Sequence, residues 1–127
     1  MSQRLLIVED EDHLAAGLKL NLELEGYEVD VAGTAREASE KLVQPEGYDA
    51  LVLDVMLPDI NGKEVCQRVR SDSALDDVRI ICISGMVEAD KIDDLKEAGA
   101  NEFMQKPFEV DTLFAAVCGL LDIEVPA

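Results

Sequence analysis

Along the chain, apolar runs of strand length alternate with stretches of helical period. Leu5, Leu6, Ile7 and Val8 form a run without polar alternation, as expected of a central parallel strand covered on both faces. Leu14, Leu18 and Leu22 then recur at four-residue spacing and predict a helix from about His13, with Gly26 as its stop. Tyr27, Val29 and Val31 alternate with Glu28 and Asp30, which suits a half-covered edge strand. Thr34 and Glu37 have capping-box spacing and open a short helix to about Val43, before Pro45 and Gly47 break the chain. Residues 50–53 predict a third strand, and Val65 and Val69 a helix entered through Pro58 and Gly62. The β-branched run 78–83 predicts a fourth strand. Ile92, Leu95 and Ala98 mark a fourth helix ending at Gly99. A short fifth strand at 102–104 precedes a last helix with Leu113, Phe114, Val117, Leu120 and Leu121 on one face. Five βα units with short connections imply an α/β fold, a parallel sheet with helices on both faces.

Composition narrows the classes. At 127 residues the chain has the length of one domain, and 48% hydrophobic residues suffice for one core, filled by aliphatics because Trp is absent. No apolar run approaches the ~18 residues of a membrane span. No basic start, apolar stretch and small-residue cleavage site follow one another, so the expectation is a cytoplasmic protein without a membrane role. Cys66, Cys82 and Cys118 lack metal or redox spacing and read as three reduced thiols used as small apolar side chains. With 28 acidic against 11 basic residues, the formal charge is −17. Direct nucleic-acid binding by this domain is therefore not expected, since phosphate contacts need clustered Lys and Arg.

Part of that acid is concentrated where it carries chemistry. The first strand runs straight into Glu9, Asp10, Glu11 and Asp12, the third delivers Asp54, the fourth ends in Ser84 and Gly85, and the fifth leads to Lys106 before Pro107. In open α/β sheets, ligands bind outside the carboxyl ends of the strands. Carboxylates at this density repel one another unless neutralised, and a hard cation such as Mg2+ suits oxygen ligands. Asp54 is a carboxylate able to attack phosphorus, Lys106 a compact positive charge for phosphoryl oxygens, and Ser84 a hydroxyl donor beside a Gly85 that leaves room. Glu11 and Asp12 read as cap and surface charges, and His13 as a surface residue.

These four pieces, LLIVEDED, LVLDVMLPDING, RIICISG and NEFMQKPF, resemble in order and spacing the receiver domain of bacterial two-component response regulators, from about Arg4 to Leu121. The resemblance implies a five-stranded parallel sheet in the flavodoxin-like order 2-1-3-4-5. It implies a receiver domain over residues 1–122, with 123–127 a tail or the start of a linker. It implies Asp54 as phosphoacceptor, with Asp10, Asp54 and the Met56 backbone carbonyl binding Mg2+ (or Mn2+) and Glu9 acting through a water. Ser84, Gly85 and Lys106 would hold the phosphoryl group, and Phe103 would change rotamer on activation. The Lys106–Pro107 peptide is a candidate cis bond. The implied donor is a sensor histidine kinase or a histidine phosphotransfer protein. The output domain or protein would be reached through the face of the fourth helix, fifth strand and fifth helix. Residues 109–127 contain no Lys or Arg, which favours a monomer or weak dimer over a charge-paired one.

Two other classes compete with this switch. A Mg2+-dependent phosphohydrolase using an aspartyl phosphate would carry a second Asp two residues after the nucleophile, where this chain has Met56; the expectation is a chain that is not a turnover enzyme. A receiver-like binding module that is never phosphorylated would have no need of the full residue set. Met56 and Met86, both bulky and apolar, would flank the path of a hydrolytic water and slow loss of the phosphoryl group.

Overall fold

The computed structural model describes residues 3–44, 47–55, 62–85, 89–106 and 108–121. Met56, Pro58, Met86, Pro107 and residues 122–127 lie outside the described residues. With them lie the expected Met56 carbonyl ligand, the Lys106–Pro107 peptide and the expected tail.

Five strands, β1 (Arg4–Val8), β2 (Glu28–Ala32), β3 (Ala50–Asp54), β4 (Arg79–Ser84) and β5 (Glu102–Gln105), pair in parallel in the order β2-β1-β3-β4-β5. The helices α1 (Asp12–Leu24), α2 (Ala35–Leu42), α3 (Gly62–Arg70), α4 (Ala89–Glu97) and α5 (Val110–Leu120) alternate with them. Successive strand side chains point to opposite faces. Leu6, Val8, Leu51, Leu53, Ile80 and Cys82 therefore pack under α2, α3 and α4, while Leu5, Ile7, Val52, Ile81 and Ile83 pack under α1 and α5. This is why β1 and β3 show no polar alternation: both of their faces are interior. Each fully buried Leu or Ile contributes about 1.5–3 kcal/mol of burial free energy. At the edge, β2 keeps the alternation, with Val29 buried and Glu28 exposed.

Local signals act where the sequence places them. Thr34 Oγ1 accepts from the Glu37 backbone N–H at 3.1 Å and caps α2. Gly26, at φ +98°, and Gly99, at φ +118°, turn the chain after α1 and α4 in conformations that L side chains rarely adopt. Gly62 serves another purpose than a turn. A Cβ there would lie 2.8 Å from the Val55 Cα, so its lack of a side chain lets α3 start directly against the end of β3.

Two features depart from the sequence reading. A short 3-10 turn at Ser73–Leu75 precedes β4, started by Asp72, whose carboxylate accepts from the Ala74 N–H at 3.0 Å. Glu11 occupies the N-cap of α1 but makes no side-chain cap bond. The Glu9 carboxylate accepts from the Glu11 N–H instead, at 3.2 Å. The chain entering α1 is thus held from inside the fold by the buried Glu9, while Glu11 faces solvent.

Candidate functional site

The register of the sheet brings together what the sequence holds far apart. Val8 of β1 pairs with Leu53 of β3, Asp54 with Ile83, and Ser84 with Gln105. The residues that follow or end these strands, Glu9, Asp54, Ser84 and Lys106, thus emerge side by side. Backbone bonds pin the emerging ends: Glu9 N–H donates to the Ala32 carbonyl at 3.0 Å, Val55 N–H to Ile83 at 3.0 Å, and Lys106 N–H to Ser84 at 2.8 Å. The positions of the site are therefore set by the ladder, and only the side-chain torsions remain free.

Glu9, Asp54 and Ser84 are the three buried polar residues among those described. Asp10 is exposed beside them. The Lys106 ammonium reaches in to 2.9 Å from Glu9 Oε2 and 3.4 Å from Asp54 Oδ2. The geometry toward Asp54 is that of a hydrogen bond. Toward Glu9 it is an ion pair, and Oε2 has no hydrogen-bond partner among the described residues although it is buried. Two carboxylates thus share one ammonium. Burial and the nearby Asp54 carboxylate push the Glu9 pKa up to about 7, against the opposing pull of Lys106. Burial would lower the Lys106 pKa, but Glu9 and Asp54 outweigh it and hold the ammonium above its ordinary value.

One carboxylate oxygen from each of Glu9, Asp10 and Asp54 lies within 4.8 Å of the others. Six oxygens around Mg2+ at about 2.1 Å stand about 3–4 Å apart. The donor set therefore fits one hard cation after a small inward movement.

The sequence reading assigned Lys106 to phosphoryl oxygens and did not foresee that it bridges Glu9 and Asp54. The signal was present in the charge count, since buried carboxylates with a single lysine at the same sheet end must share it. Phe103 lies on β5 half-buried, packed against the cluster under α2, α3 and α4, two strands from Asp54. Gly85 follows Ser84 with open space where a Cβ would stand.

Comparison with known proteins gives one answer. Residues 5–118 match the family model described as the response regulator receiver domain. The chain is 39% identical over 118 residues to the response regulator ArlR of Staphylococcus haemolyticus, covering 92% of this chain and 52% of that protein. It is 42% identical over 117 residues to the transcriptional regulatory protein TcrA of Mycobacterium tuberculosis, covering 92% of this chain and 45% of that protein. The chain thus spans about half the length of the curated relatives it matches. A crystal structure of a response regulator from Chloroflexus aurantiacus superposes with a TM-score of 0.89 at 35% identity, covering 96% of this chain and 99% of that one.

Proposed function

This chain belongs to the response regulator receiver domain family, and from that membership we propose that it is the phosphorylation-operated switch of a two-component phosphorelay. The observation that carries the reading is the Lys106 ammonium held between the buried Glu9 and Asp54 carboxylates, with Asp10 alongside. A structural ion pair would need neither the extra carboxylates nor a buried serine at the neighbouring strand end.

In this reading residues 1–122 form the receiver domain, and 123–127 are a tail or the start of a linker. An Asp54 carboxylate oxygen bonds to phosphorus as the phosphorus–nitrogen bond of a phosphohistidine breaks. The bonding pair stays on the imidazole, which is left neutral or takes a proton from solvent. Bound Mg2+, or Mn2+, supplies charge that neutralises the transferring oxygens. Asp10 and Asp54 would hold the cation directly, together with the Met56 carbonyl, and Glu9 would hold it through a water.

Lys106 exchanges a carboxylate partner for a phosphoryl oxygen, so its charge is already in place before transfer and little reorganisation is needed. The Ser84 hydroxyl donates to a second oxygen, in the space Gly85 leaves open. Phe103 turns inward as Ser84 moves, altering the α4–β5–α5 face that an output domain or protein reads. The donor is a sensor histidine kinase or a histidine phosphotransfer protein in the cytoplasm. Each phosphoryl group is accepted once, so the chain acts as a switch and not as a turnover enzyme.

The test is labelling with acetyl phosphate and Mg2+, read by intact mass. Wild type is expected to gain one phosphoryl group and Asp54→Asn none; equal labelling of the variant rules out Asp54. Calorimetric titration of Mg2+ without donor should show a larger affinity loss for Asp10→Asn than for Glu9→Gln. The reverse order would remove Asp10 from the direct ligands.

A further inference from the structure

Beyond the phosphoryl-transfer site, the interior holds a second pair of reactive groups. Cys66 on α3 and Cys82 on β4 are both fully buried, and their sulfurs lie 3.8 Å apart. Both sit in the cluster under α2, α3 and α4. Cys82 pairs with Leu53 on one side and Phe103 on the other, and it precedes Ser84 by two residues. The third thiol, Cys118, is elsewhere: its sulfur lies 3.2 Å from the Tyr27 hydroxyl, in the packing beneath α1 and α5.

We propose that Cys66 and Cys82 are a redox-convertible pair that a peroxide oxidises to a disulfide joining α3 to β4. The sulfurs must close by about 1.8 Å to reach the bonded distance of about 2.05 Å, within the range of side-chain torsion and a small shift of a surface helix. Cys66 is the sulfur that reacts first. Its thiol is held below its ordinary pKa by the hydrogen bond from Cys82 and by the Arg70 charge, against the effect of burial. The Cys66 thiolate attacks one peroxide oxygen, the O–O bond breaks, and sulfenic acid and hydroxide result. Cys82 sulfur then displaces the sulfenic hydroxyl, which leaves as water with the Cys82 proton. Two thiols are oxidised, one peroxide is reduced, and two waters form once the first hydroxide takes a proton. Since both sulfurs are covered, peroxide enters through transient opening of α3, and the reaction is slower than at an exposed thiol.

The experiment uses the reduced chain with neither phosphodonor nor cation, so its outcome is independent of the proposed function. After prolonged exposure to hydrogen peroxide in native buffer, the chain is unfolded, alkylated and digested with trypsin. Titratable thiols should fall from three to one. The peptides spanning 64–68 and 80–91 should appear joined, two hydrogen atoms lighter than their sum, and dithiothreitol should separate them. Cys66→Ala or Cys82→Ala should abolish the joined species, and Cys118→Ala should keep it. Survival of all three thiols, oxygen added at Cys66 without a joined peptide, or a link through Cys118 would each overturn the proposal.

Discussion

Tyr48 donates its hydroxyl to Asp30 Oδ2 at 2.6 Å, at the sheet end opposite the acidic site, while the Arg4 guanidinium lies over its ring and also reaches Asp30. The Tyr48 bond, ahead of Lys41 and Arg4, holds the Asp30 pKa below the ordinary carboxylate value despite partial burial. A depressed carboxylate stabilises the fold above its unfolded pKa of about 3.9, and that contribution is lost as pH falls through the folded value. Because the Asp30 side chain is 44% exposed, solvent screening reduces the bond to about 1 kcal/mol. Tyr48→Phe is thus expected to lower stability by that amount at neutral pH, and the difference from wild type should shrink in urea titrations at acid pH, where the carboxylate is protonated. An equal difference at both pH values would show that the bond does not depend on the ionised carboxylate. This pairing was not legible in the sequence, where Asp30 read as the polar half of an alternating strand. For Lys106 the charge count showed that acids at its sheet end must share it but not which oxygens it meets, since side-chain partners across the sheet follow from register and rotamer.

Among elements, α1 and α3 show two opposite uses of glycine. Gly17 lies inside α1 with open space where a Cβ would stand, so Gly17→Ala should stabilise by about 0.5–1 kcal/mol through helix propensity. Gly62→Ala drives a Cβ into the Val55 backbone and should cost about 1–3 kcal/mol as α3 is pushed off β3. Urea midpoints of the two variants should move in opposite directions; a shift of Gly62→Ala as favourable as that of Gly17→Ala would refute the close-approach reading. Strand and helix identities were legible because buried runs and four-residue periods are local patterns. The role of Gly62 was not, since a glycine near a proline reads as a turn whether or not a backbone lies against it. The 3-10 turn at Ser73–Leu75 escaped for a related reason, being too short to have a period. Arg70 was equally silent: its side chain donates to the Gly99 and Leu75 carbonyls and Asn101 Oδ1, tying α3 to the 3-10 turn that follows it and to the distant connection between α4 and β5.

For the whole molecule, the charge of −17 and the lack of Lys and Arg over 109–127 oppose self-association through α5. Sedimentation with and without a phosphate mimic should give a monomer or a weak dimer; a tight mimic-dependent dimer through the α4–β5–α5 face would overturn this. The strand order carries a further consequence for the chain as it is synthesised. Parallel neighbours cannot form hairpins, so β1 waits for β3 before both of its edges are paired. Once they pair, Glu9 and Asp54 meet while Lys106, 52 residues beyond Asp54, has not yet been made. An emerging chain that ends before β5 therefore holds two buried carboxylates without their ammonium, and closing the sheet there costs a desolvated charge or the protonation of Glu9. A fragment ending at residue 100 should gain order when Glu9→Gln and Asp54→Asn are combined, as read by circular dichroism; no gain would remove the effect. The lysine that serves the finished site would then also be the last piece that lets the nascent domain close.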